Sequence, residues 1–355
     1  MRVCVCGDIM PGGVLPYQER YISSDLLDFM KSFDFRVGTL ECAIGNDLPF
    51  DEVKMGGRMN IIYAREEDFY RVKEMGFNVV SLANNHVWDL GVEGLKNTIK
   101  TLQDNGIQYC GAGMNIEEAS RPAVVEKDGL TVAFLAYCMH DSPYLGYVEL
   151  AGVNKPGICP LDIDKVMADI KLAKMKYNKV VVLPHWGKEY VYEPLAQCVE
   201  WTKQMVDAGA DAVLASHSHH LQPMVKIHGV PVCFCMGDFL FPDFYMVPPR
   251  PIWYPSNDVD RSSIRSTLGY PFPIEEPMLQ VWNPLARLSR MVSLNIDGRR
   301  IRSNSCFTKN DSSNIVASTK ISRNVKKHLW KEAGMVRFPL FRKFVKRVQL
   351  AKKAC

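Results

Sequence analysis

Short apolar, β-branched runs alternate along this chain with amphipathic stretches of helical period, and nearly every run ends on a polar residue capable of chemistry. That alternation is the strongest limit on the fold. Segments 3–6, Phe35–Leu40, 78–82, 179–183 and Ala212–Leu214 read as strands. Between them, 23–33, 66–75, 92–105, Ile163–Lys176 and 195–208 read as helices. Ser23 or Ser24 supplies an N-cap, Leu95, Ile99 and Leu102 form one stripe, and Gly76 and Gly106 are stop signals. Asp128-Gly129 and His228-Gly229 join apolar runs as hairpins, and a further antiparallel strand is expected over 291–296, before Asp297-Gly298. The pattern predicts an α/β protein with mixed sheets, parallel where helices intervene and antiparallel where tight turns do.

The polar residues at the strand ends follow one logic. Asp8 follows the first strand, Glu41 the second, and Asn84-Asn85-His86 with Asp89 the third. His185 follows 179–183, and His217-Ser218-His219-His220 follows the strand near 213–215. Open α/β sheets bind ligands at such ends, because side chains from separate strands converge there on a rigid frame. Each residue has a plain structural explanation: a cap for Asp8, an Asx turn for Asn84-Asn85, a satisfied buried imidazole for His185, a polar turn for the histidine run. Glu41 is harder to explain that way, since a carboxylate set among apolar residues needs a partner. Five strands delivering Asp, Glu, Asn, His and His-x-His point to one shared site. Carboxylate oxygen with imidazole nitrogen suits divalent Mn, Fe, Zn or Ni.

The order Gly7-Asp8-Ile9-Met10, Leu40-Glu41, Ala83-Asn84-Asn85-His86 with Asp89 and Gly91, His185-Trp186-Gly187, His217-Ser218-His219 and Gly237-Asp238-Phe239 resembles the CapA family. These are bacterial poly-γ-glutamate and capsule synthesis proteins, a branch of the calcineurin-like metallophosphoesterase superfamily, and the likeness runs over roughly residues 1–242. The resemblance implies a four-layer αββα sandwich holding two divalent metal ions. It places Asp8 and His219 on one ion, Asn85, His185 and His217 on the other, Glu41 between them, and His86 as an outer histidine. This sequence departs from the pattern at Met10, which stands where the superfamily has the histidine of Asp-x-His. It departs again at Asp238, where such chains usually carry Asn, and Glu41 replaces a superfamily aspartate.

The chemistry such residues support is hydrolysis of a phosphoester, with metal-activated water as nucleophile. His86 is the candidate acid for the leaving oxygen, and Asp89 the partner that fixes its ring. The expected setting is capsule, poly-γ-glutamate or cell-surface polysaccharide synthesis. The alternative is a non-hydrolytic accessory subunit that binds a phosphorylated or polyanionic intermediate beside polymer-synthesis enzymes. Gly7–Gly13 lacks the Gly-Lys-Ser/Thr ending of a phosphate loop, and neither Ser216 nor Ser218 sits in a nucleophile elbow.

Charge divides the chain. From residue 320 onward twelve Lys/Arg oppose only Glu332, a balance of +11 that leaves −7 of the net +4 to residues 1–319. An acidic body excludes nucleic acid as the partner. In the tail, Phe341, Phe344, Val345 and Val348 recur at helical spacing among cations, so segment 335–353 suits either an anionic membrane surface or packing on the body. No apolar run reaches the roughly 18 residues of a spanning helix. The start, entering an apolar run at Val3, reads as mature sequence with no leader, and eleven scattered cysteines without a Cys-x-x-Cys pair read as reduced thiols. The expected location is cytoplasmic, with the tail at the inner face of the membrane. The expected organisation is a catalytic domain over 1–308, a linker over 309–319 and a basic tail over 320–355. Nine prolines in 242–284 mark an insertion not expected to hold regular structure, either a lid or a surface loop.

Overall fold

The Arg2–Ile9 strand is buried on both faces after its first residue, as a strand covered from two sides must be. It lies at the centre of a mixed sheet in the computed structural model, which describes residues 1–46, 61–140, 145, 147–249, 251–269 and 274–337. On one side Phe35–Leu40, Val79–Ser81 and Gln108–Cys110 follow in parallel. On the other, Leu288–Ile296, Ile301–Asn310 and Val316–Thr319 run antiparallel. Asp238–Leu240 also pairs with the central strand. A second mixed sheet has six strands: Met224–Ile227, Val230–Cys233, Ala212–Leu214, Lys179–His185, Leu130–Cys138 and Ala123–Lys127.

The helices form where the apolar period requires. Ser23 caps Ser24–Lys31 by accepting from the Leu26 amide, and Gly91–Asp104 buries Leu95, Ile99 and Leu102. Ile163–Lys176 and Ala196–Asp207 pack against strands of the second sheet, Gly91–Asp104 against the first. Both hairpin turns carry two consecutive residues at positive φ, Asp128-Gly129 and His228-Gly229, the backbone that matches the twist of the flanking strands. The α/β reading with mixed sheets therefore holds.

Three expectations give way. The 242–284 segment contains four short strands, Phe244–Met246, Ile252–Trp253, Arg265–Leu268 and Met278–Val281, paired in one small sheet. Its prolines all fall outside those strands, so they punctuate the sheet rather than prevent it. A buried bidentate pair, Arg287 donating to both Asp243 oxygens at 2.6 and 2.7 Å, anchors its base. The Ser/Asn-rich stretch after Thr308 is a hairpin rather than a linker, with Asn314 at positive φ and Val316–Thr319 joining the first sheet. Part of the basic tail is body: the Arg323–Arg337 helix and Ile321 bring Val325 and Leu329 onto Leu221, with Tyr192, Leu288 and Phe307 around them. The Phe341-to-Val348 stripe lies outside the described residues.

Candidate metal centre

Asp8 owes its direction to a bulge. Between Val5 and Asp8 the central strand carries one residue more than its Phe35–Leu40 neighbour, which re-aims the chain at its end. Asp8 then lies in register with Asp238 on the adjacent strand. The approach depends on Gly7, where a Cβ would stand 1.8 Å from the Gly237 carbonyl oxygen. Glu41 hangs from the end of the next strand, its amide donating to Ile9 O at 2.9 Å. Asn84 ties the third strand to the second by donating to Leu40 O at 2.8 Å, while its own oxygen accepts from the His86 and Val87 amides. That Asx turn is the structural role the sequence suggested for Asn84, and it is also what presents Asn85 and His86 to the site.

The second sheet supplies the histidines. His185 is the last residue of its strand. His217 and His219 both sit at positive φ, +93° and +50°, a conformation unfavourable for residues with a Cβ and concentrated at functional sites. Surrounding bonds impose it. The His217 amide donates to Asp8 Oδ2 at 3.1 Å, and the Ser218 hydroxyl donates to Lys188 O at 2.9 Å.

Two groups of donor atoms result, each compact enough for a single ion: Glu41 with His185 and His217, and Asp8 with Glu41, His219 and Asp238. All six are buried, and Glu41 belongs to both groups. In the first, Asn85 Oδ1 lies 2.8 Å from His185 Nε2, and Glu41 Oε1 is 3.3 Å from the same nitrogen. Ligand atoms about 2.1 Å from one ion at right angles are about 3 Å apart, so this spacing fits shared coordination. Ser216 Oγ meets the other ring nitrogen of His185 at 2.9 Å. In the second group, Asp238 Oδ1 holds His219 Nδ1 at 2.7 Å, leaving Nε2 to face Glu41 at 3.9 Å.

The electrostatics show that protein alone does not satisfy this cluster. Asp8 Oδ1, both Glu41 oxygens and Asp238 Oδ2 are buried with no hydrogen-bond partner among the described residues, although Glu41 Oε1 lies near His185. An unpaired buried carboxylate costs several kcal/mol. Burial, aided by the charges of Glu41 and Asp238, pushes the Asp8 carboxyl well above its usual range. Burial likewise raises Glu41 to about 7, against the pull of His219 and His86. Burial drives His185 well below an ordinary histidine. For His219 burial opposes the charge, but Asp238 and Glu41 overcome it and hold the pKa well above normal. Divalent cations are the groups that fit such orphaned oxygens and imidazoles.

His86 and Asp89 stand beside the two groups. His86 Nδ1 is 2.8 Å from Asp89 Oδ2, which also accepts from the Ile62 amide at 2.7 Å. Burial disfavours charge on His86, yet Asp89 raises its pKa overall. Met10 is fully buried and its sulfur accepts from the Gly12 amide at 3.2 Å. The eight residues singled out in the sequence are thus brought to one region. Two others emerge from the structure: Asp238, which the sequence presents only as a departure from a pattern, and Ser216, which it presents only as a poor nucleophile. The Gly237-Asp238 dipeptide after an apolar run was a usable signal for the first.

A wall of aromatic side chains from elsewhere in the chain closes the His219 side. Tyr190 stacks on His219 with ring centroids 5.8 Å apart, and Trp282, just beyond the last strand of the small sheet, lies 5.4 Å from the same ring. No helix among the described residues is long and apolar enough to cross a membrane.

Known proteins match this frame. The capsule biosynthesis protein CapA of Bacillus anthracis is 32% identical over 251 residues, covering 68% of this chain and 60% of that protein. The PGA biosynthesis protein CapA of Bacillus subtilis (strain 168) is 32% identical over 181 residues, 51% of this chain and 47% of that one. A probable polyglutamine synthesis accessory protein of Mycobacterium tuberculosis is 30% identical over 168 residues, covering 45% and 44%. The chain therefore spans less than two thirds of the length of these relatives. Among solved structures, a hypothetical protein from Thermus thermophilus aligns over 90% of this chain and 100% of its own, with a TM-score of 0.47 and 13% identity, too loose a likeness to carry an argument. The profile of the family described as bacterial capsule synthesis protein PGA_cap matches residues 2–243, and the chain belongs to that family.

Proposed function

We propose that this protein is a metal-dependent phosphoesterase serving capsule, poly-γ-glutamate or cell-surface polysaccharide synthesis. The observation that carries the reading is the set of four buried carboxylate oxygens left without hydrogen bonds and facing three histidines. Asp8, Glu41, Asn85, His185, His217 and His219 would hold two divalent ions, with Asp238 and Ser216 fixing the rings of His219 and His185. Bound there, such ions supply Lewis acidity: they lower the pKa of water and neutralise phosphoryl charge. The chain does the rest. Asp89 accepts from Nδ1–H of His86 and favours its protonated form, so that Nε2–H of the imidazolium would supply the proton for the leaving oxygen. Tyr190 and Trp282 exclude water from the His219 side. The two sheets, each with helices on it, are read as the inner layers of a four-layer αββα sandwich.

Metal analysis with turnover of p-nitrophenyl phosphate and its bis-ester tests the proposal. Wild type is expected to hydrolyse one of them only with divalent metal present, and His86→Asn to lose about 10²-fold or more in rate while retaining its metal. Metal-free protein, or loaded protein without hydrolysis, ends the catalytic reading. Loaded protein without hydrolysis would instead favour an accessory subunit that captures a phosphorylated or polyanionic intermediate. Met10 in place of a ligand, and the accessory role in the mycobacterial relative's name, support that second reading. The setting is read as cytoplasmic, with the basic segment beyond Arg337 resting on an anionic inner membrane surface near polymer-synthesis enzymes.

A further inference from the structure

The Arg323–Arg337 helix has two unlike faces. Val325, Leu329, Glu332 and Met335 recur at helical spacing, are 4, 7, 5 and 9% exposed, and turn toward the body. The opposite face carries Arg323, Lys326, Lys327 and Trp330, at i, i+3, i+4 and i+7, and all four are exposed. Trp330 is 74% exposed, the most exposed aromatic side chain among the described residues. Arg323, Lys326 and Lys327 form no salt bridge with a described residue, and the one acid of the helix, Glu332, lies on the inward face 3.5 Å from Lys331. Beyond residue 337 the sequence adds six Lys/Arg and no acid. An acidic body would draw these cations inward if charge alone set the packing; the apolar stripe decides it and leaves them turned outward. The helix is also seated close to the proposed metal centre. Val325 and Leu329 pack on Leu221, two residues past His219. His328 stacks on Tyr192, ring centroids 5.1 Å apart and planes 4° apart, and Tyr192 lies 5.6 Å from the His220 ring.

We propose that this outward face, Arg323, Lys326, Lys327 and Trp330, docks the protein on an anionic phospholipid bilayer. Docking there carries Leu221, and with it the His219 side of the metal centre, to within about one helix diameter, roughly 10 Å, of the lipid headgroups. A row of cations attracts lipid phosphates. An exposed indole settles at the boundary between headgroups and acyl chains, where its ring meets hydrocarbon and its N–H stays hydrated. A soluble polyanion would engage the cations but leave the indole in water, so Trp330 is what favours the bilayer. The inference shares an anionic bilayer with the setting proposed above and deepens it, but it stands on a different element, the packed helix rather than the segment that follows it. It rests on the metal reading only for what is carried to the surface.

Partition of the full chain onto vesicles tests the inference, read by sedimentation with equal parts phosphatidylcholine and phosphatidylglycerol, and with phosphatidylcholine alone. Wild type is expected to sediment with the anionic vesicles and to stay in solution with the neutral ones. Lys326→Gln combined with Lys327→Gln should weaken partition about tenfold or more, and Trp330→Ser about fivefold. The melting temperature should not change in either variant, because the positions are exposed, so lost binding cannot be put down to misfolding. Phosphatidylglycerol brominated on its acyl chains, which quenches nearby tryptophan, should dim the fluorescence of wild type, and most of that dimming should be lost in Trp330→Phe. Helix variants that partition as wild type does, equal binding to neutral vesicles, or binding without quenching each overturn the inference. The segment beyond Arg337 is tested separately by Arg342→Gln, Lys343→Gln, Lys346→Gln and Arg347→Gln combined in the full chain. Loss of binding there, with none in the helix variants, removes this inference and leaves the docking of that segment. The reverse pattern removes the segment's docking and leaves this inference.

Discussion

The two halves of the proposed metal centre share Glu41 but are built from opposite electrostatics. Around His219 the partners are carboxylates, Asp8, Glu41 and Asp238, and the imidazole is driven toward its charged form. Around His185 the partners are a hydroxyl from Ser216 and an amide oxygen from Asn85, and the imidazole is driven toward its neutral form. A neutral imidazole is ready to ligate; a charged one must first release its proton. The difference teaches that the His185 half is prepared for a borderline ion, whereas the His219 half is an anionic cup in which the first role of a cation is to cancel charge. Met10 contributes no ligand atom of the hard or imidazole kind, and its sulfur accepts from the Gly12 amide instead.

Glu41 is where the comparison can be broken most severely. Glu41→Gln is expected to reduce bound metal below one ion per chain, measured by inductively coupled plasma mass spectrometry, because both halves use that carboxylate. Retention of two ions would mean that the halves are independent. Next in size, His217→Ala and His219→Asn should each lose one ion and keep the other, and competition with a fluorescent chelator would assign which half binds more tightly. Loss of both ions from either variant would show one cooperative site instead of two unlike halves. Asp238→Asn tests orientation more finely: it keeps an acceptor for His219 but removes a charge. Affinity in the anionic half should drop about 10-fold, within the range for a group that positions a ligand, with no change at the His185 half.

The smallest expected effect is on pH dependence, and its sign follows from the raised carboxyls. Glu41, held near 7, and Asp8, raised well above its ordinary value, remain partly protonated in the folded, metal-free chain at pH values where they are ionised in the unfolded one. Metal-free stability from these groups is therefore present at low pH and lost as pH rises through their folded values. His185 works the other way, but only below its ordinary range near 6.5. Metal binding needs the carboxylates ionised, so the rise in melting temperature on adding Zn should be larger at pH 8 than at pH 5.5. An equal or smaller rise at pH 8 would contradict an acid-rich half.

The sequence disclosed these halves unequally, for physical reasons. The α/β order, the two hairpins and the Gly91–Asp104 helix were legible because period, caps and turn residues are local properties. The clustering of the strand ends was legible because Asp8, Glu41, Asn85, His185, His217 and His219 each follow an apolar run. Asp238 also sits at a strand, but its use depends on its register with Asp8, which only the pairing across Gly7 and Gly237 reveals. The small sheet of the insertion escaped because two- to four-residue strands leave no period to count and prolines mark only the gaps around them. The packing of Val325 and Leu329 on Leu221 is tertiary, since an apolar stripe does not say what it will meet.

Metal stoichiometry of the freshly purified wild-type chain, after equilibration with a slight excess of Zn or Mn and removal of free ion, tests the central claim most directly. Two ions per chain, removable by chelator with a lowered melting temperature, is the predicted result. A chain that retains no divalent ion, and whose melting temperature ignores both metal and chelator, would contradict it.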